Sequence, residues 1–334
     1  MCDETRFVES DIRPEAFFKR FLDLCAIDAV ELFPPAQREE RPCPGCDCSQ
    51  AEHAFDKWGF AFVTCVQCGS LFQSPRPERR AFSDYYQHSP SMLYWGEIFL
   101  PQVATARNRL LFGPKAEQVS QLCSEQGCDV GCIIDVGAGA GFFLDAWMQL
   151  RPRCRGIALE PHAALAATCR AKGYEVVEQF AEDAPPDALA DLAVSLEVLE
   201  HAYDPLAFVQ AVHGLVKPSG SALFTTLTSS GFDIQVLWDK AQCVIPPQHL
   251  NFMSLEGLEA LMKRAGFQSV TILTPGKLDV DIVRKVMERD DAPHECRFLA
   301  TLMQRSPETL QAFQRFLQDN RLSSHCWIWA TKGT

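Results

Sequence analysis

The chain has 334 residues, 47% of them hydrophobic and 22% charged, a composition typical of a globular protein and not of a disordered one. Its formal net charge of −12 argues against a nucleic acid as the main partner. It contains no apolar run long enough for a membrane span, and its acidic N-terminus does not resemble a signal peptide, so we expect no membrane partner and a cytoplasmic location. The 15 cysteines then indicate metal ligands where they cluster and small core residues where they are scattered.

The first third of the chain is predicted to be helical on both sides of a cysteine-rich stretch. Apolar residues recur at helical spacing over residues 11–33, and Pro34-Pro35 ends this helix. A linker that starts at Gln37 leads to the cysteines, and residues 78–125 are predicted to be helical with a loop at Ser89–Ser91. We therefore divide this part into a helix with linker (1–40), a metal-binding module (41–77) and a helical connector that would wall an acceptor site (78–130).

From residue 131 to residue 334 the pattern changes to one domain with alternating strands and helices. Short apolar runs alternate with helical patterns, which is typical of βαβ units in a parallel sheet. Residues 279–320 are predicted to be a helical insertion. The predicted strands are Cys132–Val136, Cys154–Leu159, Glu175–Glu178, Leu192–Leu196, Ser221–Leu227, Val270–Leu273 and Cys326–Thr331.

The cysteine-rich stretch contains two C-x2-C pairs. Cys43 and Cys46 form the first pair, and Cys65 and Cys68 form the second pair after 18 intervening residues. Two thiolates on each of two tight turns complete a four-sulfur tetrahedral site, which is the arrangement of zinc knuckles. Four protein ligands leave no open coordination position, so the sequence predicts a structural zinc ion.

A second motif follows the first strand of the large domain. Asp135 precedes the turn Gly137-Ala138-Gly139-Ala140-Gly141, and the next strand ends at Glu160, 21 positions after Gly139. Such glycines allow close backbone approach to a ligand, and an acid at that distance typically binds ribose hydroxyls. A nicotinamide dinucleotide is disfavoured, because its pattern requires Gly or Ala at position 142, where this chain has Phe142.

These motifs, with Leu196–Pro205, Leu215–Gly220 and Gln248–Ser254, resemble class I S-adenosylmethionine-dependent methyltransferases over residues 131–275. The resemblance implies an α/β fold: a Rossmann-like sheet of seven strands whose last strand is antiparallel. It implies that Asp135 and the loop with Ala138 hold the methionine part of the cofactor and that Glu160 holds the ribose. The other cofactor-site residues implied are Pro161 after Glu160, Ala181 and Glu182 beside the adenine, and Ser195, Leu196 and Glu197 on the far side.

The four-cysteine module followed by Asp84-Tyr85-Tyr86 is similar to zinc-bearing methyltransferases of sugar and secondary-metabolite pathways, some of which methylate carbon. That subfamily has a Glu-His pair where this chain has Gln248-His249, and glutamine is not a carboxylate base. His249 is the first candidate for a general base, because histidine titrates near neutral pH. His201, Tyr85 and Tyr86 are further catalytic candidates, and each has a purely structural alternative.

The sequence thus predicts methyl transfer from S-adenosylmethionine to a small-molecule acceptor, either a nucleotide-linked sugar or a secondary-metabolite intermediate. A zinc-bearing RNA or protein methyltransferase and a catalytically inactive cofactor-binding scaffold are the alternatives. The residues leave open the methylated atom and the oligomeric state.

Overall fold

The computed structural model describes residues 9–34, 38–185, 189–289 and 296–334. A short 3₁₀ turn at Glu9–Asp11 precedes helix α1 (Glu15–Glu31), which begins after Pro14 and buries Phe18, Phe21 and Cys25. The predicted helix over 11–33 is therefore right in type but starts later, because Pro14 takes an extended conformation at its N-terminus. Pro35 and Gln37, which belong to the predicted helix stop and linker, lie outside the described residues.

The cysteine module (residues 41–77) contains β-strands that the sequence pattern did not reveal. Three of its strands form an antiparallel meander that is completed by a strand from far along the chain, Asn251–Phe252, which pairs with the segment Leu71–Gln73. The strands in this region are β1 (Arg38–Glu39), β2 (Ala51–Lys57), β3 (Phe60–Cys65), β4 (Leu71–Gln73) and β5 (Arg76–Pro77).

The connector is helical, as predicted, but the helix break is shorter than expected. Pro90 and Ser91 are already helical, because Ser89 caps the next helix by accepting a hydrogen bond from the Met92 amide. The predicted loop at Ser89–Ser91 is therefore wrong in length. The helices are α2 (Arg79–His88), α3 (Pro90–Tyr94), α4 (Leu100–Arg107) and α5 (Gly113–Glu125), with π-helical turns at Trp95–Phe99 and Asn108–Phe112.

A mixed seven-stranded sheet forms the centre of the large domain and confirms the predicted fold class. Six strands run in the same direction, and the last strand of the chain lies antiparallel between two of them. The strands are β6 (Cys132–Val136), β7 (Arg155–Leu159), β8 (Glu175–Val177), β9 (Ala190–Leu196), β10 (Val216–Leu227), β12 (Ser269–Leu273) and β13 (His325–Thr331), and Asn251–Phe252 is β11. Their order in the sheet is β12-β13-β10-β9-β6-β7-β8.

Helices cover both faces of this sheet. Two helices, α6 (Phe142–Leu150) and α7 (Ala163–Ala171), follow the first two strands, and two more, α8 (Pro205–Leu215) and α10 (Leu255–Arg264), pack on the opposite face. Asp204 caps α8 by accepting a hydrogen bond from the Ala207 amide, with Pro205 at the first helical position.

The remaining helices surround the cysteine module. Short helix α9 (Phe232–Leu237) precedes a 3₁₀ turn at Trp238–Lys240, and the predicted insertion contains α11 (Asp279–Glu288), α12 (Arg297–Met303) and α13 (Pro307–Asp319). These helices share one apolar core with β2, β3 and α2. Among the described residues, no helix combines the length and the apolar character that crossing a membrane requires.

Candidate active site

The glycine turn lies at the carboxyl end of β6 and opens α6. Gly137, Gly139 and Gly141 have φ angles of 78°, 56° and 74°, a left-handed conformation that side chains disfavour. A Cβ atom at Gly137 would lie 2.6 Å from Cγ2 of Val198, whereas a Cβ atom at Gly139 would meet nothing within 4 Å. Gly137 is therefore required by packing, and Gly139 leaves open space in front of the turn.

Two buried carboxylates flank this turn. Glu160 Oε2 accepts a hydrogen bond from the Gly139 amide at 2.8 Å, and Oε1 accepts one from the His162 amide at 2.9 Å. Burial and, to a smaller extent, the charge of Glu160 raise the pKa of Asp135 to about 7, although the charge of Lys115 opposes the shift. Burial likewise raises the pKa of Glu160, although its two amide hydrogen bonds oppose the shift.

A cavity of about 1070 Å³ lies in front of these groups, larger than the roughly 300–1,000 Å³ typical of pockets for one small ligand. Most of the residues predicted for the cofactor line it: Asp135, Gly137, Ala138, Gly139, Glu160, Pro161, Ala181, Glu182, Leu196 and Glu197. Ser195 instead lies inside β9, in register with Phe224, and its buried Oγ has no hydrogen-bond partner among the described residues. The cavity has room for a cofactor and a second molecule.

Glu197 directly follows β9 and lines the cavity, with a φ of 57°. Its Oε1 accepts hydrogen bonds from Thr225 Oγ1 at 2.6 Å and from His325 Nε2 at 2.7 Å, and Lys115 Nζ lies 3.5 Å from it. Burial would raise the pKa of Glu197, but the charges of His325 and Lys115 hold it well below its ordinary value. No sequence motif indicated Lys115 or His325, because they come from a connector helix and from the last strand.

Two histidines from distant segments meet in the same cavity. The rings of His201 and His249 are 4.6 Å apart at an angle of 77°. The Cys243 carbonyl oxygen accepts a hydrogen bond from His249 Nδ1 at 2.5 Å, and Tyr86 Oη lies 3.1 Å from His201 Nδ1. Side-chain atoms of Glu200, which is buried, lie within 4.8 Å of both histidines.

Burial controls the protonation of this cluster. It lowers the pKa of His249 to about 4 and that of His201 to about 3, and the charge of His249 contributes to the shift of His201. Burial and the charge of Glu197 raise the pKa of Glu200 to about 8. At neutral pH both histidines are therefore neutral, and burial makes each a weaker base than the near-neutral titration expected from the sequence.

The two predicted tyrosines have different surroundings. Tyr86 lines the cavity beside His201. The Tyr85 hydroxyl is enclosed, because it lies 2.9 Å from Ser91 Oγ and accepts a hydrogen bond from Gln248 Nε2 at 2.9 Å. Gln248 also donates to Cys25 Sγ at 3.3 Å, so its amide links the loop before β11 to α1 and α2.

The four cysteines of the module converge on one point. The Sγ atoms of Cys43 and Cys68 are 3.5 Å apart, those of Cys46 and Cys65 are also 3.5 Å apart, and all four lie within 4.8 Å of one another. Each pair sits on a turn that ends in a left-handed residue, Asp47 with φ 67° or Gly69 with φ 72°. Zn–S bonds of about 2.3 Å place tetrahedral sulfurs about 3.8 Å apart, so this geometry fits zinc.

The chain resembles known methyltransferases in sequence. The family model described as "Methyltransferase domain" matches residues 101–272, just over half of the chain. A ubiquinone biosynthesis O-methyltransferase of Albidiferax ferrireducens is 32% identical over 123 residues, which cover 35% of this chain and 48% of that protein. A protein of the same name from Paracidovorax citrulli is 38% identical over 104 residues, 28% of this chain and 43% of that protein.

The matched segment thus spans about half the length of these curated relatives. Among solved structures, a SAM-dependent methyltransferase from Archaeoglobus fulgidus aligns with a TM-score of 0.43 and 17% identity, covering 65% of this chain and 94% of that one.

Proposed function

The chain belongs to the methyltransferase domain family, and we propose that it transfers the methyl group of S-adenosylmethionine to an oxygen atom of a small-molecule acceptor. The observation that carries this proposal is the shared cavity, which joins the glycine turn and two carboxylates to a pair of neutral histidines. The relatives named as O-methyltransferases support oxygen as the methylated atom.

The residues that line the cavity are suited to S-adenosylmethionine. Gly139 leaves space where a ligand would lie against the turn, and Asp135 is suited to a cationic amine such as that of the methionine part. Glu160 lies at the end of β7, where a carboxylate would accept hydrogen bonds from ribose hydroxyls. When bound, the cofactor supplies an activated methyl group on a positively charged sulfur; the protein's part is to position the acceptor and remove its proton.

We assign the role of proton acceptor to His249, with His201 as the second candidate. The Nδ1–H of neutral His249 donates to the Cys243 carbonyl, which leaves the lone pair of Nε2 available to a hydroxyl group of the acceptor. His201 has Tyr86 on its Nδ1, so a second proton-transfer group adjoins the first. The enclosed hydroxyl of Tyr85 supports a structural role for that residue.

The finer identity of the acceptor, a nucleotide-linked sugar or a secondary-metabolite intermediate, is part of this proposal. Gln248 supports oxygen methylation over carbon methylation, because its amide cannot act as the carboxylate base of a Glu-His pair. Its hydrogen bonds to Tyr85 and Cys25 give it a bracing role instead.

We further propose that Cys43, Cys46, Cys65 and Cys68 hold one structural zinc ion. The four-sulfur donor set and its near-tetrahedral spacing support this assignment. Zinc would then fix the turns on which α10 rests, since Arg264 Nη1 donates to the carbonyl oxygens of Pro44 and Gly45 at 3.1 and 2.8 Å.

Calorimetry and a methyl-acceptor screen test the enzymatic part. We expect the protein to bind S-adenosylmethionine and its product S-adenosylhomocysteine, and to methylate hydroxylated acceptors from a metabolite extract. H249A should reduce kcat by about 100-fold or more with cofactor affinity changed less than twofold, since a positioned base contributes that much. H53A is the control, because His53 is exposed on β2. Unchanged turnover in H249A would make His249 structural, and absence of cofactor binding would refute the function.

Metal analysis tests the zinc assignment. The purified protein should contain about one zinc ion per chain, and C65S should lose it. C48S is a matched control, because Cys48 lies in the same small core but outside the four converging sulfurs. Protein prepared without chelators that contains no zinc, or a C48S variant that loses it as readily as C65S, would contradict the assignment.

A further inference from the structure

Arg107, at the end of α4, lines the cavity without a hydrogen-bond partner for its buried guanidinium atoms. Its Nε and Nη1 atoms are shielded from solvent, and no hydrogen bond from this side chain is present in the described part of the chain. An arginine carries five N–H donors, and leaving buried donors unpaired is costly. A charged group in this position indicates a ligand that supplies the missing acceptors.

Arg13, which precedes α1, lies on the same side of the cavity. The charges of the two arginines interact: burial and the charge of Arg13 lower the pKa of Arg107 to about 10, while the charge of Glu197 raises it. Glu197 already accepts hydrogen bonds from Thr225 and His325 and faces Lys115. Among the residues that the structure describes, no carboxylate therefore forms an ion pair with the guanidinium group of Arg107.

Each of the two arginines lies beside an aromatic ring. The guanidinium carbon of Arg107 lies 5.9 Å from the ring centre of Trp95, and that of Arg13 lies 5.1 Å from the ring centre of Phe18. Stacking on a ring keeps a guanidinium plane fixed, and the N–H groups of Arg107 that find no partner among the described residues can then bind oxygen. Both aromatic rings line the cavity.

The position of this pair favours the acceptor over the cofactor. Phe18 and Trp95, the rings beside the two arginines, pack in one apolar cluster with Ile245. The Ile245 carbonyl accepts a hydrogen bond from the amide of His249, the candidate base, at 3.0 Å, and the charge of Arg13 also acts on His249. An oxyanion bound between the two arginines would therefore lie on the histidine side of the cavity.

We propose that Arg107 and Arg13 form an oxyanion subsite that selects acceptors bearing a carboxylate or a phosphate group beside the hydroxyl to be methylated. This inference rests on the proposed methyltransferase function and specifies its substrate class. Planar forked guanidinium donors bind both carboxylate and phosphate oxygens in pairs, so the chemistry is shared by the two groups. The subsite also explains how a chain of net charge −12 would attract an anionic acceptor.

Binding of simple probes tests the proposal on the full-length protein. Benzoate, phenyl phosphate and the neutral isostere benzamide are titrated by calorimetry, each with and without saturating S-adenosylhomocysteine. We expect at least one of the two anions to bind about tenfold or more tightly than benzamide. The better anion identifies the carboxylate or the phosphate as the preferred group. Equal affinities, or binding of none of the three up to about 100 mM, would overturn the subsite.

Variants of Arg107 then test whether this residue causes the preference for the anion. R107Q should reduce the preference for the anion to about twofold or less, R107K should retain part of it, and R20Q, an exposed charge on α1, should leave it unchanged. If R107Q instead weakens S-adenosylhomocysteine binding and keeps the anion preference, Arg107 binds the methionine carboxylate and the proposal is wrong. The wild-type comparison of anion with benzamide remains decisive if R107Q does not fold. Failure of S-adenosylhomocysteine to bind any folded protein would refute the methyltransferase function itself, separately from the anion preference.

Discussion

Alanine substitutions at Gly137 and Gly139, in the turn after β6, should affect protein stability and cofactor binding to different extents. Gly137 and Gly139 both have positive φ angles, 78° and 56°, so G137A and G139A each carry a backbone penalty of about 1–2 kcal/mol. Only the methyl group of G137A has a steric neighbour, Cγ2 of Val198 at 2.6 Å. We therefore expect G137A to impair stability more and G139A to impair cofactor binding more.

The magnitudes follow from these distances. Overpacking adds about 1–3 kcal/mol, so G137A should lose about 2–5 kcal/mol in all, against about 1–2 kcal/mol for G139A. The added methyl of G139A occupies open space that the cofactor would need, and its affinity for S-adenosylhomocysteine should fall about tenfold or more. The affinity of folded G137A should change by less than about threefold.

Urea unfolding and calorimetry measure the two effects on the same preparations. A matched control adds V198A to G137A: removing the opposing methyl groups should recover the overpacking part of the loss but not the backbone part. Equal losses of stability and equal losses of affinity in G137A and G139A would refute the division of roles. Retained affinity in G139A would show that the ligand does not approach this turn.

Two further predictions concern stability. Burial raises the folded pKa of Glu200 to about 8 against an ordinary value of 4.5, so its contribution to stability is present below pH 4.5 and is lost as the pH rises through 8. E200Q should therefore gain stability relative to wild type progressively between pH 4.5 and pH 8 in urea unfolding, whereas E117Q, at an exposed glutamate, should show no such trend. Gly257→Ala should destabilise by about 1–3 kcal/mol because its methyl group would press on Ser70 Oγ and lie 3.3 Å from Cys68 Sγ. Gly96→Ala, with nothing within 4 Å, should instead gain about 0.5–1 kcal/mol, and equal effects of the two alanines would contradict this packing argument.

The sequence predicted the central sheet well because its signals are local. Most of the parallel strands are short apolar runs, and the main errors lie at strand ends, as in Val216–Leu227, where Ser221 was expected to begin the strand. The cysteine pairs and the glycine turn were also recognisable, since both depend on fixed spacing along the chain. The geometry brings each set together.

The rest depends on contacts between distant segments. The strand pair of β4 with β11 joins residues 71–73 to residues 251–252, and two-residue strands carry no periodicity to detect. The partners of Glu197 come from α5 and β13. Arg107 is a candidate ligand-binding residue only because its buried N–H groups have no hydrogen-bond partner among the described residues. Such features follow from packing, which a single sequence does not display.

The β4–β11 pairing also connects the proposed zinc site to the candidate catalytic loop, although the two are far apart in sequence. Leu250, next to His249, accepts a hydrogen bond from the Gln73 amide at 2.9 Å and donates its own amide to the Glu200 carbonyl at 2.8 Å. Arg76 Nη2 donates to Asn251 Oδ1 at 2.9 Å. The loop that carries His249 is therefore held between the cysteine module on one side and the segment carrying His201 on the other. Because β4 follows directly on the second cysteine pair, loss of the fourfold sulfur site would loosen the loop and separate the two histidines.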